Sequence, residues 1–171
     1  KLNRILIKVF DQKIFLQKEI KKQTKNMRLS LQNNYSKKFD PENIKYGRGG
    51  FQELELLVQM GMLLMNIGYR KNNQSPKKLI SYLFKVGFFD KEEYKNIKEI
   101  YELFFYYQQV SCIMFFETDQ KKFLSSHGVD YLIKNLSKSV NYNKEMDLND
   151  LNLLLKQKSQ YIGKLFDRKL K

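Results

Sequence analysis

The chain has 171 residues, a net charge of +14 and one cysteine, Cys112. A chain of this length folds as one domain that buries roughly two thirds of its unfolded surface, and its lone cysteine excludes an internal disulfide. No Cys/His group has zinc spacing, and the longest apolar run, Leu56–Met65, falls well short of the ~20 residues that span a bilayer.

"KLNRILIKVF" lacks the apolar core of a secretory leader, so a cytoplasmic, reducing compartment is expected. The opening at Lys1 reads as mid-helix, which gives the expectation of a single, N-terminally truncated helical domain over residues 1–171. The charge raises nucleic acid or an acidic membrane as partners. Against both, arginine occurs only at positions 4, 28, 48, 70 and 168, and no lysine cluster is interleaved with aromatics in a nucleic-acid motif. Alanine and tryptophan are absent while Lys, Asn, Ile, Phe and Tyr abound, a bias expected of an AT-rich genome. The charge is therefore assigned to a solvated surface, with neither membrane nor nucleic acid as the expected partner.

In chain order, residues 11–34 have the helical period, with Ile14, Phe15, Ile20, Met27 and Leu31 recurring among lysines and glutamines. Residues 35–50 break it with asparagines, Pro41 and glycines, and form an irregular loop. Phe51–Ile67 is apolar almost all round, as in a central helix buried among others. Ser75 and Pro76 open a further helix that Gly87 can stop. Asp90 and Glu93 have capping-box spacing and start a long helix over 90–116, with Ile97, Ile100, Tyr101, Phe104, Tyr107 and Met114 inward. Asp119 can cap a shorter helix ending near Gly128; "SKSVNYNKEMD" is a polar connection; Asp147 caps the last helix, with Leu148, Leu151, Leu155, Ile162 and Leu165 inward. No run alternates with period two, so the fold class is all-α, a bundle of five to seven helices.

Most enzyme templates fail. Gly47, Gly49 and Gly50 lack the Gly-Lys-Ser/Thr ending of a phosphate-binding loop and the strand that precedes a dinucleotide fingerprint. His127 has no second histidine to share a metal with, and Cys112 falls on the apolar side of a helix. The stretch "NIKYGRGGFQELELLVQ" is the exception. Its glycines let the backbone come close to a ligand, a helix N-terminus follows, and Lys45 and Arg48 supply full charges, a combination suited to phosphates. The same glycines could equally make a tight entry into a crowded core. At about 100° per residue, Gln52, Glu55, Gln59 and Asn66 share a stripe, while Glu53 lies with Leu57, Met60 and Leu64. A buried Glu55 needs a partner, with Arg28 or Lys45 the expected cation, or else a cleft with water or ligand.

These residues resemble a known family. "IKYGRGGFQELELLVQ" is similar to the Lys-x-Gly-x-Gly-Gly-apolar-x-Asp-Ile-Glu-Phe element of glutamine-synthetase adenylyltransferase, and more loosely to that of the PII uridylyltransferases. "KNMRLSLQ", "LISYLFKVGFFDKEEYKNIKEIYELFFYYQQV" and the closing "IGKLFDRKL" resemble family pieces in the same order. The resemblance implies the helical bundle of the C-terminal half, whose parent enzyme transfers AMP from ATP to a tyrosine of glutamine synthetase in nitrogen regulation. It implies nucleotide or domain-junction roles for Lys45, Gly47, Arg48, Gly49 and Gly50, with Glu53 and Glu55 as supporting carboxylates. It also implies three partners: an upstream nucleotidyltransferase domain, glutamine synthetase and PII protein. Glu53 departs from the usual aspartate and Leu56 from phenylalanine. The chain has no Gly-Ser pair and no Asp-x-Asp, so the carboxylates that hold magnesium against ATP are expected outside it, with no cofactor expected for this segment alone.

Overall fold

The computed structural model describes residues 17–35, 44–67, 75–115, 130, 131, 134 and 147–171. Among them are five helices and no strand: α1 (Gln17–Asn34), α2 (Phe51–Leu64), α3 (Pro76–Lys85), α4 (Lys91–Phe115) and α5 (Leu148–Leu170). The fold is all-α. Ile14, Phe15, Asp119, His127, Gly128, most of the polar connection and the side chains of Cys112, Met114 and Leu148 lie outside the described residues.

Helix ends follow local chemistry. The Asp90 carboxylate accepts from Glu93 N at 2.8 Å while Glu93 Oε2 accepts from Asp90 N at 2.9 Å, a reciprocal cap for α4. Asp147 and Asp150 make the same pair at the start of α5. Ser75 is the N-cap of α3 and Pro76 its first turn, as expected; the Ser75 side chain makes no cap bond, and Ser75 contributes its carbonyl to Lys78 and Leu79. Gly87, at φ +80, ends α3 in the left-handed region. The helical run begun at Phe51 stops three residues earlier than its apolar pattern, because Asn66 turns left-handed at φ 49. Asn66 is therefore off the stripe assigned to it, and exposed.

Helix α2 packs against each of the other four. Its Leu54, Leu57 and Met60 are essentially without solvent exposure and meet Leu83, Ile97, Ile100, Phe104, Leu155, Ile162 and Phe166 in one core. Each such side chain contributes at most about 1.5–3 kcal/mol of burial free energy. The far end of α5 is tied to α4 through Glu93, which stands 2.8 Å from both Arg168 Nη2 and Lys169 Nζ.

The buried face of α1 differs from its apolar pattern. Ile20 is buried, but Met27 is 55% exposed, and the positions facing the core are Ile20, Thr24 and Arg28. Successive steps of four put those three side chains on one line of the helix. A buried arginine on that line must find anions, and its partners define the site.

Candidate functional site

Residues 44–50 form the loop that enters α2. Gly50 N donates to Gly47 O at 2.9 Å, Phe51 N to Ile44 O at 2.9 Å and Gln52 N to Lys45 O at 3.0 Å. The first amides of a helix are the usual donors to a bound anion. Here the amides of Gly50, Phe51 and Gln52 are already satisfied by the loop's own carbonyls.

The glycines are dictated by contact. Gly49 has φ +72, and a Cβ there would lie 2.0 Å from the carbonyl oxygen of Ser159 on α5. At Gly50 a Cβ would fall 2.2 Å from Ile44 O. No rotamer relieves either clash, since both obstacles are backbone. Ser159 Oγ completes the seat by donating to Arg48 O at 2.7 Å. The loop thus rests against the backbone of a helix more than a hundred residues away in sequence.

Charge reinforces that seating. Arg28 Nε stands 3.1 Å from Glu53 Oε2, both side chains buried. The N–H is not aimed along that line, so the contact is an ion pair without a hydrogen bond. Gln32 Nε2 donates to Glu53 Oε1 at 2.8 Å, Arg28 Nη2 donates to Gly163 O at 3.3 Å, and Arg28 Nη1 makes a short contact to Asp167 Oδ1. The guanidinium also lies 4.5 Å above the Phe166 ring. Burial pulls the Arg28 pKa down, but pairing with Glu53 and then Asp167 overrides it, and the net direction is upward. On the solvent side Arg48 Nη2 approaches Asp167 Oδ2 at 3.8 Å, with both side chains about half exposed. Two arginines from different segments therefore share the Asp167 carboxylate.

The pairing expected between Arg28 and Glu55 is not formed. Glu53, one face round the helix, takes Arg28, because its side chain points into the core where Arg28 arrives from α1. Glu55 instead lines a groove of about 370 Å³ between α1 and α2, with Gln52, Gln59, Met27, Ser30, Leu31 and Leu56. Burial pushes the Glu55 carboxyl above the usual range, and Lys45 partly offsets this. Lys45 is thus the cation that acts on Glu55, with its Nζ 5.0 Å over the Tyr46 ring. Burial, and then the charge of Glu55, raise the hydroxyl of nearby Tyr101 as well.

Lys45 and Arg48 engage different neighbours, Lys45 turning to Tyr46 and Glu55 and Arg48 to α5. Sequence reasoning missed Arg28, Ser159 and Asp167 as the partners that hold the loop. A signal for Arg28 existed in the Ile20, Thr24, Arg28 spacing; none existed for Ser159 or Asp167. Among the described residues no three or more His, Cys, Asp or Glu side chains converge in a group able to hold a metal ion. No helix there is long and apolar enough to cross a membrane. On this loop the cationic side chains are Lys45 and Arg48, and the amides of Gly50, Phe51 and Gln52 are occupied by the loop's own carbonyls.

The family described as GlnD PII-uridylyltransferase matches residues 15–167. Those limits take in all of α1 to α4, the glycine loop and α5 as far as Asp167. No curated protein and no solved structure matches the chain.

Proposed function

Because the chain belongs to the GlnD PII-uridylyltransferase family, we propose that it is a helical segment of a nucleotidyltransferase that modifies PII protein with UMP in nitrogen regulation. The family match over residues 15–167 carries this reading. It supports the uridylyltransferase reading better than the adenylyltransferase reading drawn from the glycine element.

In this reading the segment shapes one wall of a nucleotide site. Lys45, and Arg48 once an anion draws it from Asp167, offset phosphate charge at the rim of the loop. The Arg28, Glu53 and Asp167 network holds the loop against α5, so that these cations are presented from a fixed backbone rather than a mobile turn. Magnesium and the nucleotide would be bound chiefly by carboxylates on an upstream nucleotidyltransferase domain, with this segment alone neither metal-binding nor catalytic. A cytoplasmic location fits such a role.

The second reading, AMP transfer from ATP to a tyrosine of glutamine synthetase, rests on the "IKYGRGGFQELELLVQ" element. One experiment separates the two. The native gene product that contains this chain is incubated with magnesium, PII protein and glutamine synthetase, and with α-labelled UTP or ATP. Label on PII from UTP supports the first reading, and label on glutamine synthetase from ATP supports the second. Label on neither overturns both.

A further inference from the structure

We propose that Tyr35, backed by Tyr46, is the platform on which the base of the nucleoside triphosphate stacks. This rests on the nucleotidyltransferase reading above and adds to it the residues that hold the base. Two observations carry it. The rings of Tyr35, at the end of α1, and Tyr46, in the glycine loop, stack with centroids 4.3 Å apart and planes 14° from parallel. Tyr35 is nevertheless 53% exposed, so with one ring face on Tyr46 its other face and its edge are turned to solvent. The second observation is what lies beside the stack. Lys45 Nζ stands 5.0 Å over the same Tyr46 ring, and two residues beyond Tyr46 the half-exposed Arg48 supplies another cation. A single exposed tyrosine is ordinary. Tyr35 differs in being held flat against a second ring that belongs to the cation-bearing loop.

That pairing selects its ligand. An anion alone would need only the cations, and an apolar group alone would gain nothing from their charge. A nucleotide carries both a flat ring and, one sugar away, a run of phosphates. The Tyr46 backing sets the plane of Tyr35 before the base arrives, so little side-chain freedom is lost on binding. Stacking uses the π-face that every base has. The platform therefore holds uracil and adenine alike, and the choice between them falls to groups that read the edge of the base.

The test is equilibrium dialysis of α-labelled UTP, and separately of ATP, against the native gene product that contains this chain, with magnesium but no acceptor protein, so that no transfer is needed. Inorganic triphosphate, which lacks the base, is measured as a competitor. Tyr35→Ala is expected to weaken both nucleotides about tenfold and to leave the inhibition constant of triphosphate unchanged. Tyr35→Phe keeps the ring and should bind like the parent, whereas Tyr35→Leu keeps apolar bulk without a π-face and should behave like Tyr35→Ala. The inference is overturned if Tyr35→Ala binds nucleotide like the parent, if triphosphate weakens in the same proportion, which would make Tyr35 only a support for the loop, or if Tyr35→Phe does not restore binding. Nucleotide binding that depends on Tyr35, with no label passed to PII protein or glutamine synthetase, would sink the proposed function and leave the platform standing. Transfer by an enzyme whose binding is indifferent to Tyr35 would do the reverse, and a parent that binds neither nucleotide overturns both.

Discussion

Replacing Gly49 with alanine is expected to remove a large part of the stability of this chain. The left-handed backbone at φ +72 costs an L residue about 1–2 kcal/mol. The new methyl would meet Ser159 O at 2.0 Å, and because the obstacle is helix backbone the loop must lift, a forced-packing cost of about 1–3 kcal/mol. Lifting also breaks the 2.7 Å hydrogen bond from Ser159 Oγ to Arg48 O, worth about 1 kcal/mol. Reduced freedom of the unfolded chain returns about 0.4–1 kcal/mol. The expected loss is about 4 kcal/mol, set against total stabilities of about 5–15 kcal/mol for domains in general. Gly87→Ala is the matched control, since Gly87 has φ +80 but its Cβ would have nothing within 4 Å. Only the backbone strain applies there, for a net loss of about 1 kcal/mol. Urea unfolding followed by helical circular dichroism measures both variants. Equal losses at the two glycines would refute the claim that contact with α5, rather than backbone conformation alone, fixes the loop.

Three further outcomes are expected. Arg28→Met leaves Glu53 buried without its cation and should destabilise by about 3–5 kcal/mol, whereas the double variant with Glu53→Leu should recover much of that; simple addition of the two single losses would contradict a buried pair. Glu55→Gln tests the groove by pH. Burial raises the folded pKa of Glu55, so the protonated form is favoured on folding and the parent gains stability as pH falls through that value. The glutamine variant should therefore be the more stable at pH 7, with the advantage gone below the unfolded glutamate pKa; urea midpoints that stay parallel from pH 7 to pH 4 would count against the burial. Asp147→Ala removes the acceptor for Asp150 N at the start of α5 and should cost about 1 kcal/mol in the same urea assay, and no loss would mean that the cap is not formed in solution.

The sequence by itself determined the all-α class, the start of α2 at Phe51 and the caps at Asp90 and Asp147. These depend on period and on groups three or four residues apart, which interact whatever the rest of the chain does. It also carried the glycine element that pointed to a nucleotidyltransferase relationship. Tertiary structure alone decided partners. Glu53 and Glu55 are two residues apart and chemically identical, yet one meets Arg28 in the core and the other lines a groove, because the placement of α1 against α2 brings the arginine to only one face. The glycines posed a choice between phosphate cradle and tight entry, and Gly49 is seated on the backbone of α5 at Ser159 while Gly50 is closed in by the loop's own Ile44 carbonyl. Arg28 and Asp167 are separated by 139 positions, and no local pattern encodes a contact at that range. It exists because helices packed round one core bring their faces together, and a buried charge is tolerated only where such packing supplies its counterpart.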